Sequence, residues 1–148
     1  MTYIRTFFFL SAFAISALLG HNSAHASEEV TVYKSPYCGC CTAWSEHMRD
    51  NGFTVTEIKR EDMGAIKKQL GVPAQLESCH TAMVDGYVLE GHVPADDVKR
   101  LLAERPDAHG LSVPGMPMGS PGMEQDGMKD PYTTILFDKG NMSAFARH

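Results

Sequence analysis

Short blocks of apolar residues, each with its own period, divide the chain from residue 30 onward into readable elements. Val30-Thr31-Val32-Tyr33 is rich in β-branched and aromatic residues and reads as a strand. Thr42 to Asn51 places Trp44, His47 and Met48 at i, i+3 and i+4, which is one helical face, and Gly52 supplies a stop. Phe53 to Ile58 alternates apolar and polar residues and suits a second strand. Asp62 to Leu70 is a short amphipathic helix with Met63, Ile66 and Leu70 facing inward, ended by Gly71-Val72-Pro73. Ala82-Met83-Val84 and Tyr87-Val88-Leu89 flank Asp85-Gly86, a strong hairpin signal. Pro94 to Glu104 follows as a third helix, with Pro in its first turn and Val98, Leu101 and Leu102 on its apolar face. The predicted order is β-α-β-α-β-β-α.

The pattern then breaks. Leu111 to Met128 holds three prolines, four glycines and four methionines with no hydrophobic period, which predicts neither helix nor strand. A core uses Met as a gap-filler among other apolar residues. Beyond Val113 this stretch offers none, so its thioethers are held out by turn-forming neighbours as donors. Residues 110–130 are accordingly read as a metal-capping loop. In the tail, 131–148, Tyr132 to Phe137 predicts a strand, Asp138 to Asn141 a turn, and Met142 to Phe145 its partner. Such a hairpin ties the loop down at its far end and folds it back over the domain.

At the other end, residues 1–26 carry the marks of a cleaved secretory signal. Arg5 is the basic start, Phe7 to Leu19 the apolar run, and Ala24-His25-Ala26 the small-residue cleavage site. The apolar run is shorter than the roughly 20 residues that a membrane span needs, and no other segment is apolar enough to span. The remainder, 27–148, is long enough for one domain with a single core. An exported domain is expected in the periplasm, where thiols oxidise unless metal or a partner protects them. The net charge is −5, and the only charged residue before Ser27 is Arg5, so the exported part is one unit more acidic. With no Lys/Arg cluster, nucleic-acid binding is excluded. A monomer is expected.

Four cysteines are the whole thiol supply. Three fall in Tyr37-Cys38-Gly39-Cys40-Cys41, at the handover from first strand to first helix, and the fourth, Cys79, precedes His80. Cys38 and Cys41 have the C-x-x-C spacing of a redox dithiol, the candidate catalytic pair. Together with the element order, that placement predicts an α/β, thioredoxin-like domain with a Pro/Gly/Met-rich C-terminal extension. Where such domains usually carry a cis-proline opposite the dithiol, this chain has Glu77-Ser78-Cys79-His80-Thr81. Cys79 therefore faces the other three sulfurs, which suits a metal ligand better than a peptide-docking surface.

A helix N-terminus stabilises thiolates through its free N–H groups and dipole. Soft thiolate and thioether donors select Cu(I). Four thiolates carry too much charge for one such ion, so several copper ions sharing bridging sulfurs are expected. Zinc competes, but adjacent Cys40 and Cys41 fit one tetrahedron poorly and the methionine loop has no role in a zinc site. The metal ligands read from the sequence are Cys38, Cys40, Cys41, Cys79, Met116 and Met123, with His80 and Met118 as further candidates. His92 is expected to satisfy backbone groups at its turn, His109 is a weaker candidate ligand, and His47 is expected to pack. Trp44 and Tyr37 flank the cysteines and would shield the site from water.

Taken together, Tyr37-Cys38-Gly39-Cys40-Cys41, Glu77 to Thr81, Glu90-Gly91-His92-Val93-Pro94-Ala95 and Val113 to Glu124 resemble the CopG-type periplasmic copper-resistance proteins. The resemblance spans nearly the whole exported chain. It implies a thioredoxin-like domain whose extension completes a cysteine-bridged copper cluster. It also implies interconversion of Cu(I) and Cu(II) alongside a copper-efflux or electron-transfer partner. Cys38, Cys40, Cys41 and Cys79 match the family's cysteines, and Met116 and Met123 its Gly-Met-Pro and Gly-Met-Glu methionines. Two other functions fit the same residues: a copper chaperone or buffer handing Cu(I) to an efflux system, and a thiol–disulfide oxidoreductase.

Overall fold

The computed structural model describes residues 27–148, so the signal-peptide reading of 1–26 lies outside the described residues. In β1 (Glu29–Lys34) every second residue, Val30, Val32 and Lys34, is buried. Alternation of this kind marks a strand with one face on the core. β1 pairs in parallel with β2 (Thr54–Lys59) through α1 (Gly39–Asp50). It pairs on its other side, antiparallel, with β3 (Thr81–Val84). After α2 (Met63–Gln69) and a one-turn 3-10 helix at Ala74–Leu76, β3 and β4 (Tyr87–Gly91) form the hairpin predicted around Asp85-Gly86. α3 (Ala95–Glu104) then leads into β5 (Gly110–Val113), and β6 (Thr133–Asp138) and β7 (Asn141–Arg147) close the chain. The result is a mixed α/β fold with one seven-stranded sheet in the order β2-β1-β3-β4-β5-β6-β7.

Three boundaries differ from the sequence expectation. α1 begins at Gly39 rather than near Thr42. Cys38 is its N-cap, and the Cys38 Sγ accepts the Cys41 N–H at 3.3 Å, a role usually signalled by Ser, Thr, Asp or Asn. Leu111 to Val113, read as the start of an irregular loop, is a strand: β5 is buried throughout and pairs in parallel with β4 and antiparallel with β6. Four residues running into Pro114 are too short for periodicity to register, and only the sheet on both sides makes them a strand. The partner predicted at Met142 to Phe145 is longer, running Asn141–Arg147.

The sheet separates two apolar layers. Trp44 and Met48 of α1 and Val98 and Leu101 of α3 pack with Val30, Val32, Ala82, Val84, Leu89, Leu111 and Val113. On the opposite side Leu70, Val72 and Leu76, from the end of α2 and the 3-10 turn, meet Val88 and Phe137. Each fully buried large side chain contributes about 1.5–3 kcal/mol by leaving water. A buried ion pair fastens α2 to β4: Lys67 Nζ lies 2.5 Å from Glu90 Oε1 and donates to Thr81 Oγ1 at 3.1 Å. Glu90 also accepts the Ser78 N–H at 2.6 Å and the Thr81 hydroxyl at 2.7 Å. With all these partners its carboxylate is satisfied, and it holds the turn that carries Cys79 from behind.

His47 has a structural task. Pro94, the N-cap of α3, makes no side-chain cap, and His47 Nε2 on α1 instead accepts the first helical N–H, from Ala95, at 3.1 Å. Burial holds its pKa below the usual 6.5, keeping it neutral as an acceptor. A folded pKa below the unfolded one means that protons bind preferentially to the unfolded chain as pH falls, so the capping stability is present above about 6.5 and is lost below it. Buried His80 and His92 push in the same direction. Denaturant titration of the metal-free protein should show stability falling from pH 7 to pH 5. His47→Gln, whose amide oxygen accepts without titrating, should keep neutral-pH stability and lose part of that slope; an identical slope would exclude His47 as a contributor.

Candidate metal centre

The site forms where the first turn of α1 meets the turn before β3. Because α1 starts at Gly39, Cys40 and Cys41 lie within its first turn, among free backbone N–H groups, and Cys38 caps it. Cys38 and Cys41 are joined by a disulfide with their Cα atoms 5.3 Å apart. Cys40 Sγ lies 3.4 Å from Cys38 Sγ and 4.0 Å from Cys79 Sγ. All four sulfurs, three from one short run and the fourth from 38 positions further on, fall within 4.8 Å of one another. The sequence expectation that Cys79 faces the other three is met.

Cys79 belongs at the same time to a second group. Its Sγ is 3.2 Å from His80 Nδ1 and 3.0 Å from His92 Nε2, and these three residues can place donor atoms within 4.8 Å of each other. Both imidazoles are fully buried, His80 tilted against Trp44 with ring centroids 4.5 Å apart and edge-on to His92 at 5.1 Å. His92 Nδ1–H donates to the Pro121 carbonyl at 2.8 Å, which leaves the Nε2 lone pair turned toward Cys79. His92 does satisfy a backbone group, as expected of it, yet its other nitrogen reaches the cysteines. Sequence reasoning missed that second role because His92 and Cys79 lie on adjacent ends of β4 and β3, a neighbourhood set by hairpin register.

Burial sets the protonation of this group. The Cys79 thiol is pushed up to about 12, first by desolvation and then by the neighbouring Cys40. Desolvation also holds His80 well below its usual value and lowers His92. In the absence of metal, Cys79 is therefore a neutral thiol beside two neutral imidazoles. A bound cation reverses that preference, because coordination deprotonates a thiol outright.

The methionine-bearing loop approaches the first turn of α1 at Gly122. Gly122, at φ +85°, sits so close to α1 that a Cβ would be 2.7 Å from the Cys40 carbonyl oxygen and 2.8 Å from Trp44 N. Met123, beside it, lines a cleft of about 270 Å³ together with Gly39, Cys40, Ala43 and Glu124. The loop's start is tied to the Cys79 turn: Gly115 N–H donates to Glu77 O at 3.3 Å and the Ser78 hydroxyl donates to Gly115 O. Of the other expected thioether ligands, Met116 is 53% exposed, and Met118 is half-buried with its N–H donated to Asp130. His109 is engaged elsewhere, donating Nε2–H to Leu70 O at 2.7 Å and packing on Phe137. Tyr37 does not shield the site; it is 86% exposed, since the turn before α1 points it outward, and Trp44 alone of the two aromatics is buried.

Gly122→Ala should lift the loop from α1, because both the close contact and the left-handed backbone oppose a Cβ, at a cost of about 1–3 kcal/mol. Hydrogen exchange at the Gly39 to Ala43 amides should accelerate in that variant. Unchanged exchange there would contradict the loop contact.

Comparison with known proteins adds three findings. A family described as "Protein of unknown function, DUF411" matches residues 76–123, the stretch from the Cys79 turn through the loop to Met123. Among curated proteins none matches. Two solved structures of a copper resistance protein CopG are similar to this chain at 44% sequence identity. Form 2 has a TM-score of 0.80, with 83% of this chain and 99% of that one covered. Form 1 has a TM-score of 0.79 and covers 83% and 98%. Identity at that level over essentially the whole of the solved chain, with the cysteine cluster assembled in the same fold, establishes that this protein belongs to the CopG family of copper resistance proteins.

Proposed function

We propose that the protein binds several copper ions at a cysteine-bridged cluster and interconverts Cu(I) and Cu(II) in the periplasm as part of copper resistance. The observation that carries this reading is the convergence of four sulfurs within 4.8 Å under a methionine-bearing loop. Copper is the substrate. Cys38, Cys40, Cys41 and Cys79 hold it through thiolates that bridge ions, with His80 adding a nitrogen donor. Met123, and with loop movement Met116 and Met118, supply neutral thioethers that need no deprotonation. Element order, the parallel β1-α1-β2 unit and the dithiol at the amino end of α1 support a thioredoxin-like ancestry for the domain.

Oxidising two Cu(I) ions to Cu(II) releases two electrons, which the Cys38–Cys41 disulfide takes up with two protons to give two thiols; an electron-transfer partner then removes two electrons and restores the disulfide. The buried Cys41, the covering loop and Trp44 favour retention of metal over rapid exchange. The exposed Met116 thioether supports the alternative, a chaperone or buffer that passes Cu(I) to an efflux system.

Reduced protein spanning residues 27–148, loaded anaerobically with Cu(I) and desalted, should retain more than one copper per chain and develop visible bands that reverse through an oxidant and reductant cycle. Colourless Cu(I) that resists cycling would favour the buffer, and no retained copper would return the chain to thiol–disulfide chemistry. Cys79→Ser should lower the copper content without unfolding the domain; unchanged content would remove Cys79 from the cluster. Deleting Pro114 to Met128 should leave a domain that loses copper to a chelator faster than the full chain, and equal retention would contradict the capping role.

A further inference from the structure

Closing the Cys38–Cys41 disulfide takes two of the four sulfurs out of metal binding. Cys40 and Cys79 remain as free thiols, and Cys79 keeps two other donors at hand. His92 Nε2 is 3.0 Å from its Sγ, with the imidazole tautomer set by the Nδ1–H bond to Pro121. His80 Nδ1 is 3.2 Å away. His80 Nε2 is the one buried side-chain polar atom among the described residues without a hydrogen-bond partner. A fully buried imidazole is ordinarily hydrogen-bonded at both nitrogens. Two such rings converging on one thiol, His80 through Nδ1 and His92 through Nε2, fit a ligand set better than a packing arrangement.

We propose that the disulfide form of the protein carries a single-ion site of its own, in which Cys79 Sγ, His80 and His92 hold one borderline transition-metal dication. One thiolate and two imidazoles with a fourth position open is a donor set suited to Cu(II), Zn(II) or Co(II), in contrast to the all-sulfur set that favours Cu(I). The Pro121 carbonyl plays the orienting part that backbone acceptors play behind metal-bound histidines, so the methionine loop acts on this site through hydrogen bonding as well as by covering it. Cys79 is then common to two sites. It bridges copper in the four-thiol state and anchors the single dication once Cys38 and Cys41 are joined. The inference rests on the role given to Cys79 above, and it does not require a multi-copper cluster.

Metal-free disulfide protein, titrated anaerobically with Co(II), should bind one equivalent and develop a thiolate-to-cobalt charge-transfer band. Cys79→Ser should abolish that band, and His92→Ala should weaken binding about tenfold or more. Because a buried histidine variant can fail to fold, the unaltered protein gives a second readout: Zn(II) should shift the ring nitrogen resonances of both His80 and His92 and leave those of His109 in place. A band that survives Cys79→Ser, or unshifted His80 and His92 rings, would overturn the proposal. The two readings fail separately: Cu(I) retained by reduced protein with no Co(II) bound by the disulfide form sinks this site alone. The reverse pattern sinks the cluster alone.

Discussion

The rest of the centre depends on bringing one turn, Ser78-Cys79-His80, against the amino end of α1. The backbone does most of this: β3, which follows the turn, pairs directly with β1, which precedes α1, so the end of β1 and the start of β3 are neighbours within the sheet. The turn is then held from both sides. Glu90 takes the Ser78 N–H from within the sheet, and Lys67 neutralises Glu90 from α2. From outside, Ser78 and Glu77 bond to Gly115 at the start of the loop. Removing one member of a buried pair such as Lys67 and Glu90 costs about 3–5 kcal/mol, because a buried charge is left without its partner. The same pair thus serves stability and the placement of Cys79 at once.

Around that turn the protein combines two environments that ordinarily conflict. Cys40 and Cys41 sit in the first turn of a helix, among backbone N–H groups that have no partner within the helix. Cys79 and its two histidines sit in a desolvated pocket that favours neutral forms. A bound cation would offset that desolvation, deprotonating the Cys79 thiol and accepting the imidazole lone pairs. Gly91 shows how tightly the Cys79 turn is packed against β4 and β5: at φ +72°, a Cβ there would be 2.5 Å from Ser78 Oγ and 2.6 Å from the Val113 carbonyl oxygen. Only a glycine lets β4 leave the sheet toward His92 at that point.

Much of this was legible in the residues. The hairpin at Asp85-Gly86, the helix carrying Trp44 and Met48, and the tail hairpin each had a local signal, and the structure has each. The cysteine quartet could be read because its members are chemically distinctive and the element order puts a strand-to-helix turn beside a β3 turn. β5 could not, since four residues next to a proline owe their strand to neighbours on both sides. The reach of His92 to Cys79 was hidden for a related reason: it depends on the register of β3 against β4, together with a carbonyl 29 positions further along the chain. Tyr37 was misjudged because adjacency in sequence says nothing about which side of a turn a ring takes.

The measurement that bears most directly on the account is copper K-edge X-ray absorption on the reduced, copper-loaded protein. Sulfur bridging among four cysteines within 4.8 Å predicts a first shell dominated by sulfur and a distinct copper–copper vector. A nitrogen- or oxygen-dominated shell, or sulfur ligation with no metal neighbour, would contradict a shared-thiolate cluster.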